Sequence, residues 1–191
     1  MRHHLIERAD RLAETWHAGQ TRKDGVTPYI THPRRVAAML DGQPPAVIAV
    51  ALLHDTLEDT AIPSREIHDL GGDILAGVWW LTSPDKEGSR LASLCREDRK
   101  AMQREKIAHA PRWVISVKLA DRLDNLRDGV GAFDAEFLAM YREETRLLLR
   151  AILDTHRGVE FWPLWNELRD AALAHSASPV RLDDTAAGGA R

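Results

Sequence analysis

Cysteine occurs once in the 191 residues, at Cys95, so no disulfide can close within the chain. A single thiol fits a reducing cytoplasm, the compartment expected here, and Cys95 itself reads as a small, partly buried side chain. No apolar run approaches the ~18 residues that a membrane span needs. The opening MRHHLIERAD lacks the apolar stretch of a secretory signal, so no membrane partner is expected. An excess of one charge is missing too: 26 Lys and Arg stand against 29 Asp and Glu, a formal net charge of −3. Such a balance argues against nucleic acid as a partner, and any anionic ligand must be met by a local cluster of cations. The alternation that marks strands is nearly absent as well, which points to an all-α fold.

What is present is helical spacing around a sizeable apolar fraction of 44%. Ile6, Ala9, Leu12, Ala13 and Trp16 share one face of a first helix, and HAGQTRKDGVTPY then breaks it with two glycines and a proline. THPRRVAAMLDG starts a second helix, with Thr31 as its expected N-cap, Pro33 in the first turn and Gly42 near the end. Residues 46–58, AVIAVALLHDTLE, read as one continuous helix, apolar almost all round and therefore central. A short helix entered near Ser64 precedes one carrying Trp79 and Trp80, both expected in the core. The charged stretch SPDKEGSRLASLCREDRKAMQREKIAHAP reads as a loop running into an amphipathic helix that stops before Pro111. RWVISVKLADRLDNLRDG, DAEFLAMYREETRLLLRAILD and FWPLWNELRDAALAH supply the remaining helices. Residues 1–175 are thus expected to form a single domain, and 176–191, small and polar without period, a disordered tail.

LLHDTLEDT, residues 52–60, sets His54, Asp55, Glu58 and Asp59 on a helix whose same side runs back through Val50, Ala51, Val47 and Ile48. Either the apolar run gives out into solvent, or a buried face ends in polar groups that need a counter-ion. Two other stretches have the same character. In VKLADRLDNLRD, Lys118, Asp121 and Asn125 lie on one side beside a stripe of Leu119, Leu123 and Leu126, and His32 stands in PYITHP at a proline-bounded junction. His32, His54, Asp55 and Asp121 make a mixed nitrogen and oxygen ligand set suited to Mn²⁺, Fe²⁺ or Zn²⁺.

HAGQTRKDGVTPYITHP, ALLHDTLEDT and VKLADRLDNLRD, in that order, with REDRKAMQREKIAHAP as a weaker fourth, resemble the HD-type phosphohydrolases. Within them the likeness is to the small alarmone hydrolases and the hydrolase domain of the Rel/SpoT enzymes, over about residues 5–175. The resemblance implies an HD-domain helical bundle and one Mn²⁺ bound by His32, His54, Asp55 and Asp121. It implies that Glu58 and Asp59 serve the catalytic water and the reacting phosphate, and that Asn125 lies against the sugar and phosphate. Arg22 and Lys23 match the nucleotide-contacting pair, Arg96 a basic position meeting phosphate, and Tyr141 a ligand-facing tyrosine. Asp128 stands where bifunctional members often carry threonine, and Phe137 where some carry a basic residue.

The implied activity is hydrolysis of the 3′-diphosphate of guanine nucleotide alarmones to GDP or GTP and pyrophosphate. No synthetase half is expected, and a homo-oligomer is compatible with the sequence. Two rivals are an HD phosphohydrolase acting on another nucleotide (an adenosine analogue, a deoxynucleotide or the 2′-phosphate of NADPH) and a catalytically silent alarmone-binding module.

Overall fold

A computed structural model describes residues 2–83 and 95–174; the expected tail and residues 84–94 of the charged stretch lie outside it. Every regular element among the described residues is a helix, and the one β contact is an isolated bridge between Thr21 and Pro28. In chain order the helices are α1 (Arg2–Trp16), α2 (Thr31–Ala38), α3 (Pro45–Leu53), α4 (Thr56–Asp59) and α5 (Ser64–His68). They continue as α6 (Gly72–Leu81), α7 (Arg96–Ala108), α8 (Arg112–Gly129), α9 (Ala135–Thr155) and α10 (Pro163–Leu173).

The all-round apolar sequence of α3 puts it in the centre, where α1, α2, α6 and α8 all pack on it. Pro45 starts it at the first helical position, where the missing N–H costs nothing. Val47, Ala49, Val50, Ala51, Leu52 and Leu53 are buried along it. The close approach of α6 depends on Gly77, where a Cβ would lie 2.6 Å from the Trp113 ring and 2.8 Å from Val50. α8 is buried over most of its length, and its C-terminal half carries the buried polar side chains Asp121, Arg122 and Asp124.

Four local expectations are corrected. The helix read over 46–58 is interrupted at His54 and Asp55. There His54 Nδ1 bonds the Ala51 carbonyl at 2.8 Å and Thr56 Oγ1 donates to the Leu53 carbonyl at 2.7 Å, occupying acceptors that a continuous helix would use. The backbone restarts with the amides of Glu58 and Asp59 both on the Asp55 carbonyl. Thr31 is inside α2 rather than capping it: its hydroxyl donates to the Pro28 carbonyl, and Ile30 holds the cap position. Trp79 is exposed and Trp80 only half-buried against the core, because the inward face of α6 is taken by Ile74, Gly77, Val78 and Leu81. Cys95 is exposed and caps α7, its sulfur accepting from the Asp98 amide.

Candidate active site

The helix break after α3, the start of α2 and the middle of α8 meet at one point. His32 and His54, both essentially buried, face each other edge to face with ring centroids 5.2 Å apart. Each ring donates from Nδ1, His54 to the Ala51 carbonyl and His32 to Asp124 Oδ2 at 2.6 Å. Since a carbonyl and a carboxylate only accept, both Nε2 atoms are left as the inward-facing nitrogens. Asp121 Oδ1 lies 3.4 Å from one and 3.6 Å from the other; Asp55 Oδ2 lies 3.6 Å from His32 Nε2 and 3.1 Å from His54 Nε2.

Both Nε2 atoms are buried without a hydrogen-bond partner. Orphaned ring nitrogens facing carboxylate oxygens are costly in an empty protein and are what a divalent cation satisfies. His32, His54 and Asp121 each offer one ligand atom within 4.8 Å of the others. Asp55 joins them at the distances above. The residues therefore fit a divalent metal ion.

Every carboxylate of the set is oriented by a neighbour. Asp121 receives Lys118 Nζ at 2.7 Å and Asn125 Nδ2 at 2.6 Å, and Asp55 receives the Tyr29 hydroxyl at 2.6 Å. Burial opposes the charge on Asp121, but Lys118 and the two histidines outweigh it and hold its carboxyl well below the usual range. Burial likewise opposes charge on His32 and His54, and the surrounding aspartates outweigh it, raising both. The site is a nest of negative charge matched to a cation.

One turn beyond Asp55, Glu58 is held from the other side. Its carboxylate accepts from Ser83 Oγ at 2.8 Å and more weakly from the Ser83 amide at 3.3 Å, while Gln103 donates to Ser83 Oγ at 3.0 Å. Burial pushes the Glu58 carboxyl up, only partly offset by Lys118 and Ser83. Asp59 accepts from the Tyr29 hydroxyl at 3.1 Å. Glu58 and Asp59 line a small cavity of about 170 Å³ with Asp55, Asp121, Lys100 and Arg122.

That cavity continues into a larger cleft of about 440 Å³, the two sharing Tyr29, Asp59, Asn125 and Tyr141. Arg22 and Lys23 line the larger one from the α1–α2 loop. Arg22 is tied to Asp128 at 3.0 Å and to Asn125 Oδ1 at 2.9 Å. Lys23 Nζ stands 4.1 Å from the Phe133 ring centroid and 4.3 Å from that of Phe137. Burial, and then Arg22, lower its pKa. Tyr141, half-buried on α9, lies against Arg122, whose guanidinium carbon is 4.3 Å from the ring centroid.

Arg96 lines neither cavity; its guanidinium pairs with Glu144 at 2.6 Å. One turn on, Lys100 lines the smaller cavity instead, its pKa lowered chiefly by burial. The same charged run contained both, and only the face α7 turns towards α8 and α9 selects between them. Sequence reasoning also passed over Tyr29, Ser83, Gln103, Asp124 and Arg35. Tyr29 alone had a signal, in PYITHP one helical turn before His32.

A family model described as HD domain matches residues 9–147. The chain is 42% identical over 125 residues to a GTP pyrophosphokinase of Streptomyces coelicolor, covering 64% of this chain but only 14% of that protein. To guanosine-3′,5′-bis(diphosphate) 3′-pyrophosphohydrolase MESH1 of Danio rerio it is 38% identical over 165 residues, 82% of this chain and 88% of that one. A solved structure of a metazoan ortholog of SpoT, described as hydrolysing ppGpp, superposes with a TM-score of 0.71 at 27% identity, covering 86% of this chain and 93% of the other.

Proposed function

The chain belongs to the HD domain family, and on that premise we propose that it is a metal-dependent 3′-pyrophosphohydrolase of guanosine tetra- and pentaphosphate alarmones. The observation that carries the reading is the pair of buried, unpartnered Nε2 atoms of His32 and His54 facing Asp55 and Asp121, two acids that line the smaller cavity adjoining a nucleotide-sized cleft. His32, His54, Asp55 and Asp121 would hold the ion, for which Mn²⁺ suits the mixed nitrogen and oxygen donors. When bound, a divalent ion supplies Lewis acidity to a phosphoryl oxygen and brings the pKa of a water from 15.7 to about 7.

The chain's own residues do the rest. Glu58, fixed by Ser83 and raised by burial, is placed to take the proton of the attacking water. Asp59, held with Asp55 by the Tyr29 hydroxyl, orients that water towards the phosphorus on the ribose 3′ oxygen. The new P–O bond forms as the P–O3′ bond breaks, and the proton taken by Glu58 is passed on to O3′, releasing pyrophosphate and a nucleotide with a free 3′ hydroxyl. Asn125 bridges Asp121 and Arg22, so one side chain touches both the ion site and the nucleotide wall. Lys100 and Arg122 offset phosphate charge in the smaller cavity, and Lys23 with Phe133 and Phe137 forms an aromatic and cationic wall for the base.

We place this activity in the cytoplasm, a compartment that the single cysteine suits. Among the described residues no helix is long and apolar enough to cross a membrane. The test is Mn²⁺-dependent turnover of a nucleotide panel with pyrophosphate and orthophosphate scored separately. Alarmones should give pyrophosphate; orthophosphate as the only product would overturn the assignment.

A further inference from the structure

Asp124 and Arg35 have no part in the chemistry above, yet both are engaged at the site. Asp124 is buried on α8, one turn after Asp121, so a single helix approaches the His32 ring on both nitrogens. Asp121 Oδ1 faces Nε2 at 3.4 Å while Asp124 Oδ2 takes Nδ1 at 2.6 Å. Asp124 is itself gripped by the fork of Arg35, Nε to Oδ1 at 2.7 Å and a terminal nitrogen to Oδ2 at 2.8 Å. Arg35 reaches on to Asp128, which pairs with Arg22. Arg22 bonds Asn125, and Asn125 bonds Asp121, closing a ring of alternating partners that begins and ends at His32.

We propose that Asp124 is a positioning residue for the cation site: it fixes the His32 ring with Nε2 inward, and through Arg35 it ties that ligand to Asp128 and Arg22 on the nucleotide wall. The inference rests on the reading of His32 as a metal ligand. The two histidines differ in what holds them. His54 is oriented by a backbone carbonyl, which no substitution removes, whereas His32 depends on a side chain. A carboxylate behind a ligating imidazole fixes its tautomer and makes the ring a stronger donor. Asparagine at 124 has nearly the same shape but no charge, and its amide nitrogen can turn towards Nδ1 and reverse the ring's preference.

The test measures Mn²⁺ affinity by calorimetry, with the visible spectrum of the Co²⁺-loaded protein as a second readout of the ligand field. Loss of the carboxylate behind a ligating histidine weakens metal binding about 10- to 100-fold, the change expected for Asp124→Asn, together with a shifted Co²⁺ spectrum. Arg35→Gln should lose affinity in the same direction by a smaller factor, and it keeps the inference testable if Asp124→Asn does not fold. Arg34→Gln removes the same charge next door, where the arginine pairs with Asp10 and Glu14, and should bind as wild type does. Wild-type protein that binds no Mn²⁺ would bring down the metal site itself. Wild type that binds, with a folded Asp124→Asn or Arg35→Gln of unchanged affinity, would overturn only the role of Asp124. An equal loss in Arg34→Gln would overturn it too, by making the effect one of net charge.

Discussion

Replacing Glu58 with glutamine removes a proton acceptor while leaving its volume and most of its contacts. The Ser83 hydroxyl, 2.8 Å from Oε1, can donate to an amide oxygen as it does to the carboxylate, so the α4 turn should keep its shape. None of His32, His54 or Asp121 depends on Glu58 for a hydrogen bond, so metal binding should stay within about twofold. A positioned general base contributes about 10²–10⁴-fold, equivalent to about 3–5 kcal/mol of barrier, and kcat should fall by that factor. Pyrophosphate release at saturating Mn²⁺ and nucleotide reads kcat, and calorimetry on the same preparation reads the metal. A folded Glu58→Gln protein with metal bound and more than a tenth of wild-type kcat would refute the role of base. Ser83→Ala probes the same group through pH. The Ser83 bond holds the Glu58 carboxyl down against burial, so removing it raises the pKa further. The acid limb of kcat/KM, where the base is lost to protonation, should therefore move to higher pH; a limb that stays or moves down contradicts the assignment.

Two more perturbations separate binding from folding. Lys100→Met takes the ammonium from the smaller cavity and keeps the stem; a hydrogen bond to a charged group is worth about 1.5–3 kcal/mol, so KM for the alarmone should rise about 10- to 100-fold with Mn²⁺ affinity unchanged. An unaltered KM would remove Lys100 from the phosphate site. Gly77→Ala forces a Cβ into the Trp113 ring and Val50, and overpacking of this kind costs about 1–3 kcal/mol, with Tm falling by about 2–4 °C for each. An unshifted melting curve would mean that α6 moves off α3 and α8 without cost.

The helical architecture was legible because α1, α9 and α10 carry a one-sided apolar periodicity and α3 is apolar all round, and packing follows that pattern. Departures arise where a polar side chain competes with the backbone. His54 and Thr56 take carbonyls at the end of α3, and a spacing rule written for a continuous helix has no term for that competition. His54 and Asp55 keep right-handed helical backbone angles through the interruption, and both face His32 there. His32, His54 and Asp121 could be picked out as candidates because a histidine or an acid beside an apolar stripe is anomalous one residue at a time. Asp124 and Arg35 are anomalous only as a pair, 89 residues apart, and read singly each is an ordinary charge on a helix. Lys100 and Arg96 have the same difficulty in another form, since a charged run on α7 offers several cations and only its docking on α9 decides which one meets the cavity. Sequence therefore reveals the candidate ligands more readily than what holds them. In this chain Lys118 and Asn125 hold Asp121 from within α8, at spacings the sequence already displays, whereas Asp124 and Tyr29 reach His32 and Asp55 only when distant segments are brought together.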